Sequence, residues 1–104
     1  DNQAFTTDGD GGAVYHTNGD LEISTSLFES NIANFVSGLG GGLYQWNTYS
    51  GSLSLLDNVF EGNEAAEGGG TYLQSVDTVS AQRNTYCMNE STAGLGGGVH
   101  LDGV

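Results

Sequence analysis

Acidic side chains are the residues of this chain whose spacing could do chemistry, and the chemistry is cation binding. Asp8 and Asp10 lie two residues apart in the glycine-containing stretch TTDGDGG. Alternating acids on a tight loop can present carboxylate and carbonyl oxygens to Ca²⁺. The match is partial, because no glutamate follows at the distance of a bidentate ligand. The pattern leaves two alternatives, a calcium site and solvated loop acids.

A second acidic group follows the aromatic residue Phe60. Glu61, Glu64 and Glu67 are expected to pass through one corner of the chain, with further glutamates near the same positions of neighbouring units. Acids stacked about 5 Å apart repel unless a cation, protons or solvent screening intervenes. The alternatives are therefore a calcium ladder or exposed, screened carboxylates. The sequence requires no cofactor, and Ca²⁺ is the one ion that it suggests.

Aromatic rings recur after an apolar residue and predict a second kind of site. The pairs are Val14-Tyr15, Leu43-Tyr44, Thr71-Tyr72 and Val99-His100, and Trp46 lies close to the second pair. Neighbours on a strand face opposite sides, so inward apolar residues would put the rings outside. An exposed column of rings could stack on sugars or contact a protein. The alternative is that the rings simply cover one another.

Composition excludes several classes of partner. The 104 residues carry a formal charge of −12, with no Lys and with Arg83 as the only Arg. Nucleic acids and anionic membranes require a basic surface, so neither is an expected partner. No stretch approaches the ~18 apolar residues of a membrane helix, and membrane insertion by this segment is not expected. The single cysteine, Cys87, cannot form a disulfide within the chain.

Catalysis is not expected either. Hydrolysis of glycosidic bonds needs convergent carboxylates, and no such motif is visible in the sequence. His16 and His100 are the only histidines and are predicted to lie several turns apart, with His16 in a loop. We therefore predict that the chain is not an enzyme.

The elements that would position these residues are given by an internal repeat. Glycine clusters align Gly11, Gly40, Gly68 and Gly96 at intervals of 29, 28 and 28 residues. A flexible linker would not recur at a fixed period, whereas glycine at a corner supplies positive φ without a Cβ clash. Each cluster is therefore predicted to begin a turn of a repeating structure.

Each unit continues with an eight-residue block, LEISTSLF, LSLLDNVF or VSAQRNTY. Positions one and three are apolar, which is the spacing of a half-buried strand. The block ends on a ring, and an asparagine follows three residues later. These columns predict two internal ladders, of rings at Phe28, Phe60 and Tyr86 and of amides at Asn31, Asn63 and Asn89.

Short strands at a fixed long period predict a solenoid in which each unit is one turn. The fold class is all-β, a parallel β-helix with about 28 residues per turn and about three and a half turns. Residues 1–104 form one solenoid segment, with turns beginning near residues 11, 40, 68 and 96. The sequence Asn89-Glu90-Ser91 also fits a glycosylation sequon, although an inward amide at Asn89 would be inaccessible.

These motifs carry a family resemblance over most of the chain. GGAVY with FESN, and GGLY with FEGN, resemble the GGA and FxxN repeats of polymorphic outer-membrane proteins. More broadly, they resemble right-handed parallel β-helices of the pectin-lyase-like superfamily. The third unit departs from the pattern, since YCMN replaces the Phe motif and Thr71 the aliphatic residue.

The resemblance implies a structural or adhesive module, a surface stalk or filament subunit, at an extracellular or cell-surface location. The alternative is a non-catalytic part of a carbohydrate-active β-helix protein. Neither end of the sequence has the polar character of a solenoid cap. Expected partners are therefore neighbouring turns or further copies stacked end to end. Glycans are a further expected partner, through the column of Tyr15, Tyr44, Tyr72 and His100.

Overall fold

The computed structural model describes residues 9–34 and 36–104, and within them every regular element is a β-strand. A full turn contains a four-residue strand after the glycine cluster, then two strands from the eight-residue block, and then a strand after the asparagine. The strands are β1 (Val14–Thr17), β2 (Leu21–Ser24), β3 (Leu27–Glu29), β4 (Leu43–Trp46), β5 (Ser52–Leu56), β6 (Val59–Glu61), β7 (Glu64–Glu67), β8 (Thr71–Gln74), β9 (Thr78–Gln82), β10 (Thr85–Cys87), β11 (Glu90–Leu95) and β12 (Val99–Asp102).

Strands from successive turns stack into parallel sheets, which makes the fold a parallel β-solenoid of about three turns. The orders are β1-β4-β8-β12, β2-β5-β9, β3-β6-β10 and β7-β11, and every pairing is parallel. We call the first of these the ring sheet, since it carries the aromatic column. The predicted fold class and period are confirmed.

The eight-residue blocks stack in the register that their pattern predicts. Leu21 pairs with Leu53, and Leu53 pairs with Val79. The rings that end the blocks stack almost parallel, with centroids 4.6 Å apart for Phe28 and Phe60 and 4.8 Å apart for Phe60 and Tyr86. This interior stack of Phe28, Phe60 and Tyr86, together with the buried leucines of β4, β5 and β8, fills the core.

The predicted asparagine ladder is present. Asn31 donates from its Nδ2 to Asn63 Oδ1 at 2.9 Å, and Asn63 donates in the same way to Asn89 Oδ1 at 2.9 Å. The backbone N–H of each of these donors also reaches the same oxygen of the next turn, at 3.0 Å. The amides thereby provide hydrogen-bond partners for backbone N–H groups at the corner, where pairing between strands stops.

A second ladder lies at the preceding corner. Asn58 donates through Nδ2 to Asn84 Oδ1 at 3.0 Å and to the carbonyl of Ile23 at 2.9 Å. The residue before each ladder asparagine in both columns has positive φ, as at Asp57 (56°) and Met88 (53°). A left-handed residue turns the chain sharply, and the asparagine that follows it caps the exposed backbone groups.

Glycine clusters form the corner that precedes the ring sheet, as predicted. Gly68 has a φ of +62°, and a Cβ there would lie 2.7 Å from the Thr71 carbonyl oxygen. Its neighbour Gly69 has ordinary φ, but a Cβ there would lie 2.3 Å from the carbonyl oxygen of Glu90 in the next turn. The first glycine is thus required by backbone conformation, and the second is required by the close approach of two turns.

Candidate functional surfaces

The ring sheet carries the aromatic column on the side opposite its buried apolar residues. Tyr15, Tyr44, Tyr72 and His100 are in register along β1, β4, β8 and β12. Ring centroids lie 5.2 Å apart for Tyr15 and Tyr44 and 5.6 Å apart for Tyr44 and Tyr72, both edge to face. The tilted pair of Tyr72 and His100 is 4.6 Å apart. The predicted column therefore exists as a continuous ladder of contacts.

Of the two alternatives for this column, the central members follow the second, in which the rings cover one another. Tyr44 is 4% exposed and Tyr72 is 6% exposed, whereas Tyr15 at the edge is 49% exposed. Rings one strand spacing apart cover each other's faces and edges, and each hydroxyl also reaches the next turn. The accessible aromatics of the ring sheet and of the loop that follows β4 are Tyr15, Trp46 at 37% and Tyr49 at 79%.

Each central tyrosine has a polar partner for its hydroxyl. Tyr44 donates to Gln74 Oε1 at 3.0 Å, and Tyr72 lies 3.5 Å from Asp102 Oδ2. Burial, reinforced by nearby acids, raises the pKa of both hydroxyls above the usual tyrosine value. Burial also raises the pKa of Tyr86, whose hydroxyl is 3.3 Å from Thr71 Oγ1.

These raised pKa values predict destabilisation in alkali. The neutral phenol is favoured in the folded state, so this stabilisation is complete below the unfolded pKa of about 10 and is lost as pH rises towards the folded values. Each tyrosine that must ionise on unfolding contributes about 1.4 kcal/mol per pH unit in that window. Urea unfolding followed by circular dichroism should give constant free energies from pH 7 to about 9 and a steep fall above 10.

The matched variant for this pH dependence is Tyr44→Phe. It removes one ionising group and one hydrogen bond, so it should be less stable at pH 7 by about 1 kcal/mol and have a shallower alkaline slope. An unchanged slope would assign the alkaline loss to other groups.

The structure does not gather the predicted acidic ligands at one point. Glu61 ends β6, whereas Glu64 and Glu67 are at the two ends of β7, so the three do not share a corner. Glu61 pairs with Glu29 of the previous turn and Glu64 pairs with Glu90 of the next. Within the described residues, no three His, Cys, Asp or Glu side chains are placed to hold a metal.

The loop acids differ in what the structure describes. Asp8 lies outside the described residues, so the paired Asp8 and Asp10 site stays a prediction. Asp10 accepts the backbone N–H of Leu39 in the next turn, at 2.9 Å through Oδ1. This carboxylate therefore has a structural contact between turns.

The sequon asparagine is engaged in the interior ladder. Asn89 donates from Nδ2 to the Phe60 carbonyl at 2.8 Å, and its Oδ1 accepts from Asn63. Both polar atoms of the Asn89 amide are therefore engaged in contacts of the ladder. This arrangement favours the structural interpretation of Asn89.

Three features of the structure were not predicted from the sequence. The sixth position of the eight-residue block is Ser26, Asn58 or Asn84, but a ladder between Asn58 and Asn84 was not predicted from this column. His16, expected in a loop, lies in β1 and is in register with the buried Gln45. Gln45 recurs in no other unit, and Asn47 is matched only by Asn18, which is exposed, so alignment of the units did not identify the two as interior.

In comparisons with known proteins, no family model, curated protein or solved structure matches the chain. The part of the chain that the structure describes has no helix long and apolar enough to cross a membrane.

Proposed function

We propose that the protein is a non-catalytic structural module, a rigid β-solenoid spacer or stalk at an extracellular or cell-surface location. The observation that carries the proposal is the continuity of the interior. The ring stack and the two amide ladders run from turn to turn, so each turn is held by the same contacts to its neighbours. The acidic, lysine-free composition supports an exposed location, as does the resemblance of the repeats to surface-protein motifs.

A solenoid of this kind sets a distance by its number of turns. Each turn contacts only the turn before and the turn after, so stability is close to a sum of equivalent interfaces. Parallel strands are spaced about 4.8 Å apart, and one added turn would lengthen the rod by about that distance. This is the property that a spacer requires and that a catalytic site does not.

Duplicating one turn tests the spacer directly. A second copy of residues 68–95, inserted between Leu95 and Gly96, would stack Tyr86 on Tyr86, Asn84 on Asn84 and Asn89 on Asn89. We expect a folded chain about 4.8 Å longer by small-angle X-ray scattering, with a thermal unfolding midpoint at or above that of the original.

The control for the duplication carries Ala at both Gly69 and Gly70 of the inserted copy. This variant has the same length but cannot bring its turns together, so it should misfold or unfold at lower temperature. If the intact duplication behaves like this control, the protein is not a modular spacer.

Glycan binding is a second candidate function, and the exposed aromatics favour it. Tyr15, Trp46 and Tyr49 are accessible on or beside the ring sheet, and sugar rings stack on such side chains. The charge of −12 would repel acidic polymers, so neutral oligosaccharides are the expected ligands.

Glycan binding is tested with neutral oligosaccharides on an array. We expect Trp46→Ala to abolish the signal and Met88→Ala, an exposed apolar residue of another face, to retain it. Absence of binding by the unmodified protein would eliminate glycan binding as a function and would not affect the spacer proposal.

A further inference from the structure

Two buried amide oxygens lie without a partner at the corner between the ring sheet and the following sheet. They are Gln45 Oε1 and Asn47 Oδ1, and neither has a hydrogen-bond partner among the residues that the structure describes. Gln45 is fully buried and Asn47 is 2% exposed. Buried polar atoms are nearly always paired, because leaving one unsatisfied destabilises the folded state.

The two side chains converge on one place. Residues two apart on an extended chain project to the same side, and the amide nitrogen of each faces a carbonyl in a loop that joins the ring sheet to the following sheet. Gln45 Nε2 is 3.5 Å from the Gly19 carbonyl oxygen, and Asn47 Nδ2 is 3.2 Å from the Gly51 carbonyl oxygen. The first distance is longer than the usual range of about 2.7–3.2 Å for an N–H···O bond, and the second lies at the upper limit of that range.

The loops of two turns also meet there. A Cβ at Gly51 would lie 2.5 Å from the Gly19 carbonyl oxygen and 2.7 Å from Asn47 Nδ2, so the Gly51 backbone packs directly against both groups. The corner therefore gathers two backbone carbonyls and two amide side chains. We call these four groups, from Gly19, Gln45, Asn47 and Gly51, the amide corner.

Carboxylates stand beside the amide corner. Asp77 Oδ2 lies 3.3 Å from the backbone nitrogen of Gly51, and Asp20 Oδ1 accepts both the N–H and the hydroxyl of Ser52, at 2.9 and 2.8 Å. The hydrogen bonds from Ser52 lower the pKa of Asp20, which keeps it ionised. Arg83, the only Lys or Arg in the chain, is paired with Asp57 at a different corner.

We propose that the amide corner is a binding site for a hard divalent cation of the Ca²⁺ type. Rotation of the two amides would turn their unpartnered oxygens towards the Gly19 and Gly51 carbonyls, and the cation would replace the N–H contacts. Carbonyl and amide oxygens with a nearby carboxylate are the ligands that Ca²⁺ takes, and its coordination geometry is flexible. This site is distinct from the glutamates and loop aspartates discussed above, and it does not depend on the spacer function.

Terbium luminescence tests the proposal in the unmodified protein. Tb³⁺ takes the same oxygen ligands as Ca²⁺, and Trp46, between Gln45 and Asn47 in the chain, is placed to transfer excitation to it. We expect saturable emission with one ion per chain, displaced by Ca²⁺. Trp46→Phe should lose the emission while the protein keeps its response to Ca²⁺.

Variants separate the site from general screening of a highly acidic protein. Ca²⁺ should raise the thermal midpoint of the chelator-treated protein in a saturable manner, since a ligand that binds only the folded state stabilises it. Gln45→Leu, which continues the adjacent Leu73 column, and Asn47→Ala should each abolish this shift. Glu64→Gln should retain it.

The opposite results overturn the proposal. These are no saturable Tb³⁺ emission, a midpoint shift reproduced by NaCl at equal ionic strength, or a Ca²⁺ shift that survives both corner substitutions. If either corner variant fails to fold, Tb³⁺ binding and its displacement in the unmodified protein still decide whether a site exists, and the other variant decides where it lies.

Discussion

Gly70→Ala is expected to unfold most of the protein. A Cβ at Gly70 would lie 2.5 Å from the Gly98 carbonyl oxygen and 3.0 Å from Cδ1 of the Tyr86 ring. The carbonyl belongs to the next turn and accepts the N–H of Thr71, while the ring is fixed by its stack on Phe60. Neither can retreat without separating two turns, so we expect a loss of at least about 3 kcal/mol, a large part of the stability of a small domain.

The matched control is Gly98→Ala, one turn further along the same column. Its φ is not positive, and the nearest atom to an added Cβ is Tyr86 Cβ at 3.5 Å, an ordinary contact. Its cost should stay within about 0.5 kcal/mol. Urea unfolding of both variants by circular dichroism gives the comparison, and equal losses would show that glycine is needed here for a reason other than the approach of the next turn.

The repeat made much of this fold predictable from sequence. Parallel turns in register put equivalent residues on top of one another, so a column in the alignment becomes a contact in space. The asparagines at 31, 63 and 89 and the rings at 28, 60 and 86 were found in this way, and so was the glycine corner. These predictions came from the alignment of the units alone and required no estimate of interaction energies.

Contacts that occur in only one unit could not be predicted by aligning the units. Burial of Tyr44 depends on its edge-to-face neighbours and on Gln74 one turn later, a diagonal contact that no single column contains. Gln45 and Asn47 are interior by strand alternation, yet their polarity alone favoured the surface. The amide corner appears only when two loops of different length are placed side by side.

Asn63→Ala is the second substitution with a large expected effect. Its Oδ1 accepts both the N–H and the Nδ2 of Asn31, while its Nδ2 donates to the Phe28 carbonyl and to Asn89 Oδ1. Alanine would leave several of these buried groups unpaired at about 1–3 kcal/mol each. We expect a total loss of about 3–5 kcal/mol, measured as a lower midpoint in urea at constant m-value.

A double-mutant cycle shows whether the ladder acts as a unit. Asn31→Ala and Asn63→Ala each break the same bond between these amides, so the double variant should cost less than the sum of the two, by at least about 1 kcal/mol. Additive losses would mean that each asparagine only caps its own corner. Strong coupling would mean that the order of one turn depends on the next, because an amide fixed by one rung is already oriented to accept from another. That dependence is what would let a stack of short strands, none stable alone, behave as one rigid rod.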